Sequence, residues 1–236
     1  MRKMLAMLAA IAMILPATIN AQSDEKEKYV GSGNLITREV PVTSFSQLTV
    51  GGVFNVVLAQ GSAEAVKIEA EDNLQELVLV EQNGNGLTVT MKKHKSIKTN
   101  KKMTVYITFK QLNSIDLKTV GNITTTGTLN FDDLKMHNAS VGNVELKLAA
   151  RSIELENKSV GNLELEGKAD NAVIKNKSVG SLEAAKFVVQ TMHIDNNGVG
   201  GAEVNAEKSL KMKSSGIGGV KNRGGGTVTK LNRVVI

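Results

Sequence analysis

The sequence predicts an all-β chain in which an N-terminal β-sandwich or roll runs into a right-handed single-stranded β-helix, a solenoid of about 20 residues per coil. Three observations predict it. A Val-Gly or Ile-Gly pair recurs at Val120-Gly121, Val141-Gly142, Val160-Gly161, Val179-Gly180, Val199-Gly200 and Ile217-Gly218, at intervals of 21, 19, 19, 20 and 18 residues. Apolar and polar residues alternate with period two on both sides of each pair, which is the spacing of half-buried strands. The segment before each of the last five pairs is rich in Asn, Ser and Gly, the residue types that form corners.

The first element is a secretory signal over residues 1–21. Arg2 and Lys3 precede an apolar stretch at 4–15, followed by Pro16 and the small residue Ala21. That stretch is too short to span a bilayer, and Ser23-Asp24-Glu25-Lys26-Glu27-Lys28 after it is highly charged, so cleavage near Gln22 is expected and the mature chain has no transmembrane segment. The chain is therefore expected outside the cytoplasm, in the periplasm, on the outer-membrane surface or in the medium. With no cysteine, it has no lipid anchor through cysteine, no disulfide and no thiolate chemistry.

An N-terminal extension with the first strand follows over 22–44, then the sandwich or roll over 45–110. Its strand runs are Val53-Phe54-Asn55-Val56-Val57-Leu58, Val66-Lys67-Ile68, Leu77-Val78-Leu79-Val80, Leu87-Thr88-Val89-Thr90 and Met103-Thr104-Val105-Tyr106-Ile107. Asn83-Gly84-Asn85-Gly86 suits a tight hairpin, and residues 72–76 offer the one short helical turn.

The solenoid occupies 111–236. Seven and five positions before the anchors stand Leu134 and Met136, Ile153 and Leu155, Ala172 and Ile174, Met192 and Ile194, Leu210 and Met212, all apolar. Three and five positions after them stand Val144 and Leu146, Leu163 and Leu165, Leu182 and Ala184, Ala202 and Val204. Such a unit cannot bury its apolar face alone, so coils must stack and align these residues in ladders about 4.8 Å apart. The corners Asn138-Ala139-Ser140, Asn157-Lys158-Ser159 and Asn176-Lys177-Ser178 allow Asn amides to bond from coil to coil, and they also match the N-glycosylation pattern.

The segment Phe45-Ser46-Gln47-Leu48-Thr49-Val50-Gly51-Gly52-Val53-Phe54-Asn55-Val56-Val57-Leu58-Ala59-Gln60-Gly61 and the late Ser215-Gly216-Ile217-Gly218-Gly219-Val220, with Gly86-Leu87-Thr88-Val89 between them, resemble the putative auto-transporter adhesin, head GIN domain family. The resemblance runs from residue 45 to the C-terminus and implies an all-β surface or periplasmic domain. It brings no catalytic set. A C-terminal membrane barrel of the autotransporter kind is not expected after Ile217, so surface display would need another carrier.

Candidate sites are charge patterns. Once Arg2 and Lys3 are removed, 27 basic residues face 23 acidic ones, and six of the basic ones are Lys92, Lys93, Lys95, Lys98, Lys101 and Lys102. This stretch reads as a projecting hairpin loop able to hold an acidic glycan, or as a solvated connection. Four positions after the anchors stand Glu145, Glu164, Glu183 and Glu203, either a strip for a cation or cationic partner or a solvated acidic row. His94, His137 and His193 lie in no metal-ligand motif, and nothing indicates a cofactor. With two Tyr and no Trp, stacking platforms for nucleic acid are scarce, so none is expected as partner. The expected function is a non-catalytic, adhesin-like envelope binding module whose partner is an acidic glycan or another envelope component. A β-helical polysaccharide-active enzyme and a purely structural scaffold are the alternatives. Composition does not set the oligomeric state.

Overall fold

Alternating apolar residues become strands throughout the computed structural model, which describes residues 27–93 and 95–231, and strand makes up 68% against 3% helix. The signal segment and His94 lie outside the described residues. The roll contains β1 (Glu27–Val30), β2 (Leu35–Val40), β3 (Gln47–Gly52), β4 (Asn55–Gln60), β5 (Ala65–Glu71), β6 (Val78–Asn83), β7 (Gly86–Met91), β8 (Lys95–Lys98) and β9 (Thr104–Phe109). The helical turn is a 3-10 turn at Asp72–Leu77. The solenoid continues with β10 (Ser114–Thr119), β11 (Ile123–Thr126), β12 (Leu129–Asn138), β13 (Val144–Asn157), β14 (Leu163–Asn176), β15 (Leu182–Asn196), β16 (Ala202–Ser214), β17 (Val220–Asn222) and β18 (Thr227–Lys230).

Sixteen of these strands form one sheet, and roll and solenoid share it. β10 pairs in parallel with β3 on one side and β12 on the other, and β11 does the same with β4 and β13. β3 and β4 pair in parallel with β7 and β9, so the roll supplies the first coil. Antiparallel strands then close that end: β6 on β7 through the Gly84-Asn85 hairpin, β5 on β9, and β2 on β5. No linker separates the two parts.

From β12 onward each coil lies in register on the next. Val144, Leu163, Leu182 and Ala202 are Cα partners in succession, and so are Leu134, Ile153, Ala172, Met192 and Leu210. The ten apolar positions before the anchors and the eight after them are buried. Burying each large apolar side chain contributes about 1.5–3 kcal/mol, and the ladder distributes this evenly along about six turns. The unequal intervals are absorbed by register shifts between Glu164 and Glu166, between Glu183 and Val188 and between Val189 and Thr191, which leave both inner rows intact.

Candidate functional site

The corners carry the most regular surface. Each turns through Asn-x-Ser-Val-Gly or a variant of it, and the structure sends its polar and apolar residues in unexpected directions. Asn138, Asn157, Asn176 and Asn196 are fully buried, and the Nδ2 of each of the first three donates to the Oδ1 of the next, at 2.9, 2.9 and 2.7 Å. Ser159 and Ser178 donate from Oγ to the Oδ1 of Asn157 and Asn176 at 2.9 and 2.8 Å. The coil-to-coil amide bonding expected from the sequence is present. Glycosylation at Asn138, Asn157 or Asn176 is incompatible with this burial.

The anchors three residues later face outward. Val120, Val141, Val160, Val179 and Val199 are about half exposed, from 47% to 53%, and Ile217 is 74% exposed. Parallel bridges join them in one row. Val53, 61% exposed, occupies the same register one coil earlier, because β11 pairs with β4 at a constant offset and Val120 N–H bonds to Gly52 O. Seven β-branched side chains thus form a ridge with rungs about 4.8 Å apart, on the order of 29 Å long.

A glycine channel runs beside the ridge. Gly161 has φ +127°, and a Cβ there would stand 2.2 Å from the carbonyl oxygen of Gly142. Only glycine lets adjacent corners approach this closely. Beyond the channel, the Oδ1 atoms of Asn122, Asn143 and Asn162 accept the backbone N–H of the equivalent residue one coil later at 3.2, 3.2 and 3.0 Å. On the ridge's other flank Lys158 and Lys177 are exposed.

The glutamates named from the sequence do stack: Glu145, Glu164, Glu183 and Glu203 are successive Cα partners. Cations are threaded through the row. Lys186 Nζ reaches Glu164 at 3.1 Å and Glu166 at 2.7 Å, Lys147 reaches Glu166 at 3.0 Å, and Arg223 reaches Glu203 at 2.6 Å. Bonds from Lys186 and then Lys147 hold the Glu166 carboxyl below its usual range, the Glu166 bond first and then that of Glu164 raise Lys186, and the Arg223 bond lowers Glu203. Stacked like charges repel, and the interleaved cations offset that repulsion. Glu145 and Glu183 have no ion pair among the described residues. Nor do those residues contain a group of three or more His, Cys, Asp or Glu placed to hold a metal.

The lysine-rich stretch differs from the expected loop. Residues 95–98 form β8, which pairs in parallel with β1, because Glu27–Val30 supplies a strand for it to join. Lys92, Lys93, Lys98, Lys101 and Lys102 are exposed around this ribbon. The charged segment is therefore anchored at the N-terminal end, while the glutamates lie along the solenoid. His137 and His193 are half-buried on outward rows. His137 Nδ1 lies 2.9 Å from Asp116 Oδ1. Burial works against the charged form of Asp116, but bonds from Lys118 and His137 outweigh it and hold that carboxyl low.

One concavity escaped the sequence reading. A groove of about 820 Å³ lies at mid-coil, lined by Ala149, Ala150, Arg151, Gly167, Ala169 and Asp170 among others. Phe131 lines it too and stacks on Phe109 at a centroid separation of 6.0 Å. The signal available was the run of small residues at mid-coil, which strand alternation does not distinguish from an ordinary inward row.

Repeated Gly corners on stacked parallel coils, joined to an antiparallel-capped first coil, define a recognisable domain. The family model described as putative auto-transporter adhesin, head GIN domain, matches residues 44–226. The chain belongs to this family. Among solved structures, a putative adhesin from Bacteroides fragilis is 29% identical with a TM-score of 0.74, covering 86% of this chain and all of that one. A putative lipid binding protein from Parabacteroides distasonis is 17% identical with a TM-score of 0.62, and a putative adhesin from Parabacteroides merdae is 20% identical with a TM-score of 0.55. Both comparisons cover 87% of this chain and all of the other, and they share its fold. No curated protein matches the chain. No helix among the described residues is long and apolar enough to cross a membrane.

Proposed function

We propose that this head GIN protein is an exported, non-catalytic binding module of the cell envelope that works as an adhesin does, holding an acidic glycan or another envelope component along the side of its solenoid. The observation that carries this reading is the exposed ridge of Val53, Val120, Val141, Val160, Val179, Val199 and Ile217. Soluble chains rarely leave a continuous apolar row of this length uncovered. A row with one repeating period suits an extended polymer, whose own repeats can meet successive rungs. Lys158 and Lys177 beside the ridge, and Lys92, Lys93, Lys98, Lys101 and Lys102 around β8, supply attraction for acid groups. The Glu145, Glu164, Glu183 and Glu203 row would repel a polyanion and direct it to the lysine side; a cationic partner would take the opposite row. The family and its adhesin relatives agree with an exported binding role.

The test is retention of envelope polysaccharide by the purified mature protein, with reducing ends assayed in parallel. Retention that falls with salt, drops when the five ridge valines at 120, 141, 160, 179 and 199 become Thr or when the six lysines of residues 92–102 become Ser, and releases no reducing ends is the expected result. Retention indifferent to both sets removes the lateral site, and cleavage abolished by Glu164→Gln makes the protein an enzyme.

A further inference from the structure

The C-terminal end of the solenoid differs from its flank. The last coil consists of β17 and β18, both paired on one side with β16 and on the other with no described strand. The buried amide ladder also stops here. Ser214 stands where the next Asn would be, and the buried Nδ2 of Asn196 is left without a partner. An open notch of about 730 Å³ lies at this end, lined by Met212, Val220, Val228 and Leu231 among others. Val228 and Leu231 are 45% and 39% exposed, so core-type residues remain uncovered.

Charge distinguishes this end further. Residues 208–231 hold six Lys or Arg and no Asp or Glu. Arg223 is committed to Glu203, while Lys221 and Lys230 flank the notch without an ion pair among the described residues. This is a second cluster of positive charge, distant in sequence from that at residues 92–102.

We infer that the edge formed by β17 and β18 is a docking surface for an extended acidic peptide segment, which adds as the next strand of the solenoid. Three features support that occupant. An unpaired edge offers a row of backbone donors and acceptors that a strand satisfies. Alternate side chains of an added strand would cover Val220 and Val228, the register partners of buried Ala202 and Leu210, as each coil covers the one before it. Lys221 and Lys230 favour carboxylates and disfavour a second copy of the chain, because two such ends meeting would bring four ammonium groups together. The site is separate from the lateral ridge and does not depend on it.

Strand alternation supplies a selective variant. Leu231 N–H bonds to Met212 O, so the N–H groups of Thr229 and Thr227 point the same way and that of Val228 points outward. Val228→Pro removes an outward donor while leaving the pairing with β16 in place. The experiment follows anisotropy of a labelled eight-residue peptide alternating Val with Glu, added to the full mature protein. Saturable, salt-sensitive binding is expected, weakened at least about tenfold by Val228→Pro, by Lys221→Glu with Lys230→Glu, and by backbone N-methylation of the peptide. Circular dichroism of each variant checks that the fold is retained, and Val→Thr changes on the ridge should leave this binding unchanged. Absence of binding, equal binding of a Lys-for-Glu peptide, or insensitivity to Val228→Pro and N-methylation overturns the inference. Dimerisation of the free protein that Val228→Pro abolishes makes a second copy the occupant. Binding that appears only after removal of residues 232–236 makes the chain's own C-terminal segment the occupant. Either result also overturns it.

Discussion

At the four corners between Asn138 and Val199 two rows lie three residues apart and obey opposite rules. The inner row is polar, with Asn138, Asn157, Asn176 and Asn196 sealed from solvent, whereas the outer row of Val120, Val141, Val160, Val179 and Val199 is apolar and half exposed. The difference shows that stacking sets the environment here, and residue polarity follows from it. A buried amide in a single coil would be a net cost, because its donor and acceptor would lose water. Repeated at one spacing, each amide serves as its neighbour's solvent. The valine gains nothing comparable from exposure, and its retention at all five positions fits a surface used for contact.

The comparison can be broken most severely at the glycine that directly follows the outer row. Gly161→Ala forces a side chain into a positive-φ corner and against the carbonyl of Gly142, so a loss of about 4 kcal/mol is expected from combined backbone strain and overlap. Chemical denaturation would measure it. A loss under 1 kcal/mol would mean that adjacent corners can separate freely and that the channel is not a constraint on the stack.

Asn157→Ala tests the inner row. It deprives Asn138 of an acceptor, Asn176 of a donor and Ser159 of an acceptor, and should destabilise by about 2–4 kcal/mol. The same change at Asn196, whose Nδ2 has no partner, should be milder. If the two cost the same, the ladder bonds are not what stabilises the corner.

Val160→Thr tests the outer row and should have the smallest effect, within about 0.5 kcal/mol, since the side chain is half exposed and the shape is kept. A Tm shift comparable to that of Asn157→Ala would show that the ridge contributes to the fold and would remove the reason for assigning it to binding.

Much of this was legible in the sequence. The interval between Val-Gly pairs gave the coil, period two gave the inward rows, and those eighteen predicted apolar positions are buried because a solenoid aligns whatever its repeat aligns. The Glu145, Glu164, Glu183 and Glu203 row followed from the same counting. The strand within the lysine-rich stretch was not legible, because its partner, β1, lies some seventy residues away and no local pattern announces the pairing. The same limit concealed the threading of Lys186 between Glu164 and Glu166, the groove at mid-coil and the open basic end. Periodicity determines which residues share a row. Which way a corner row faces, what crosses between rows and where the stack stops depend on backbone direction at the corner and on contacts between distant segments, and only the tertiary structure decided those.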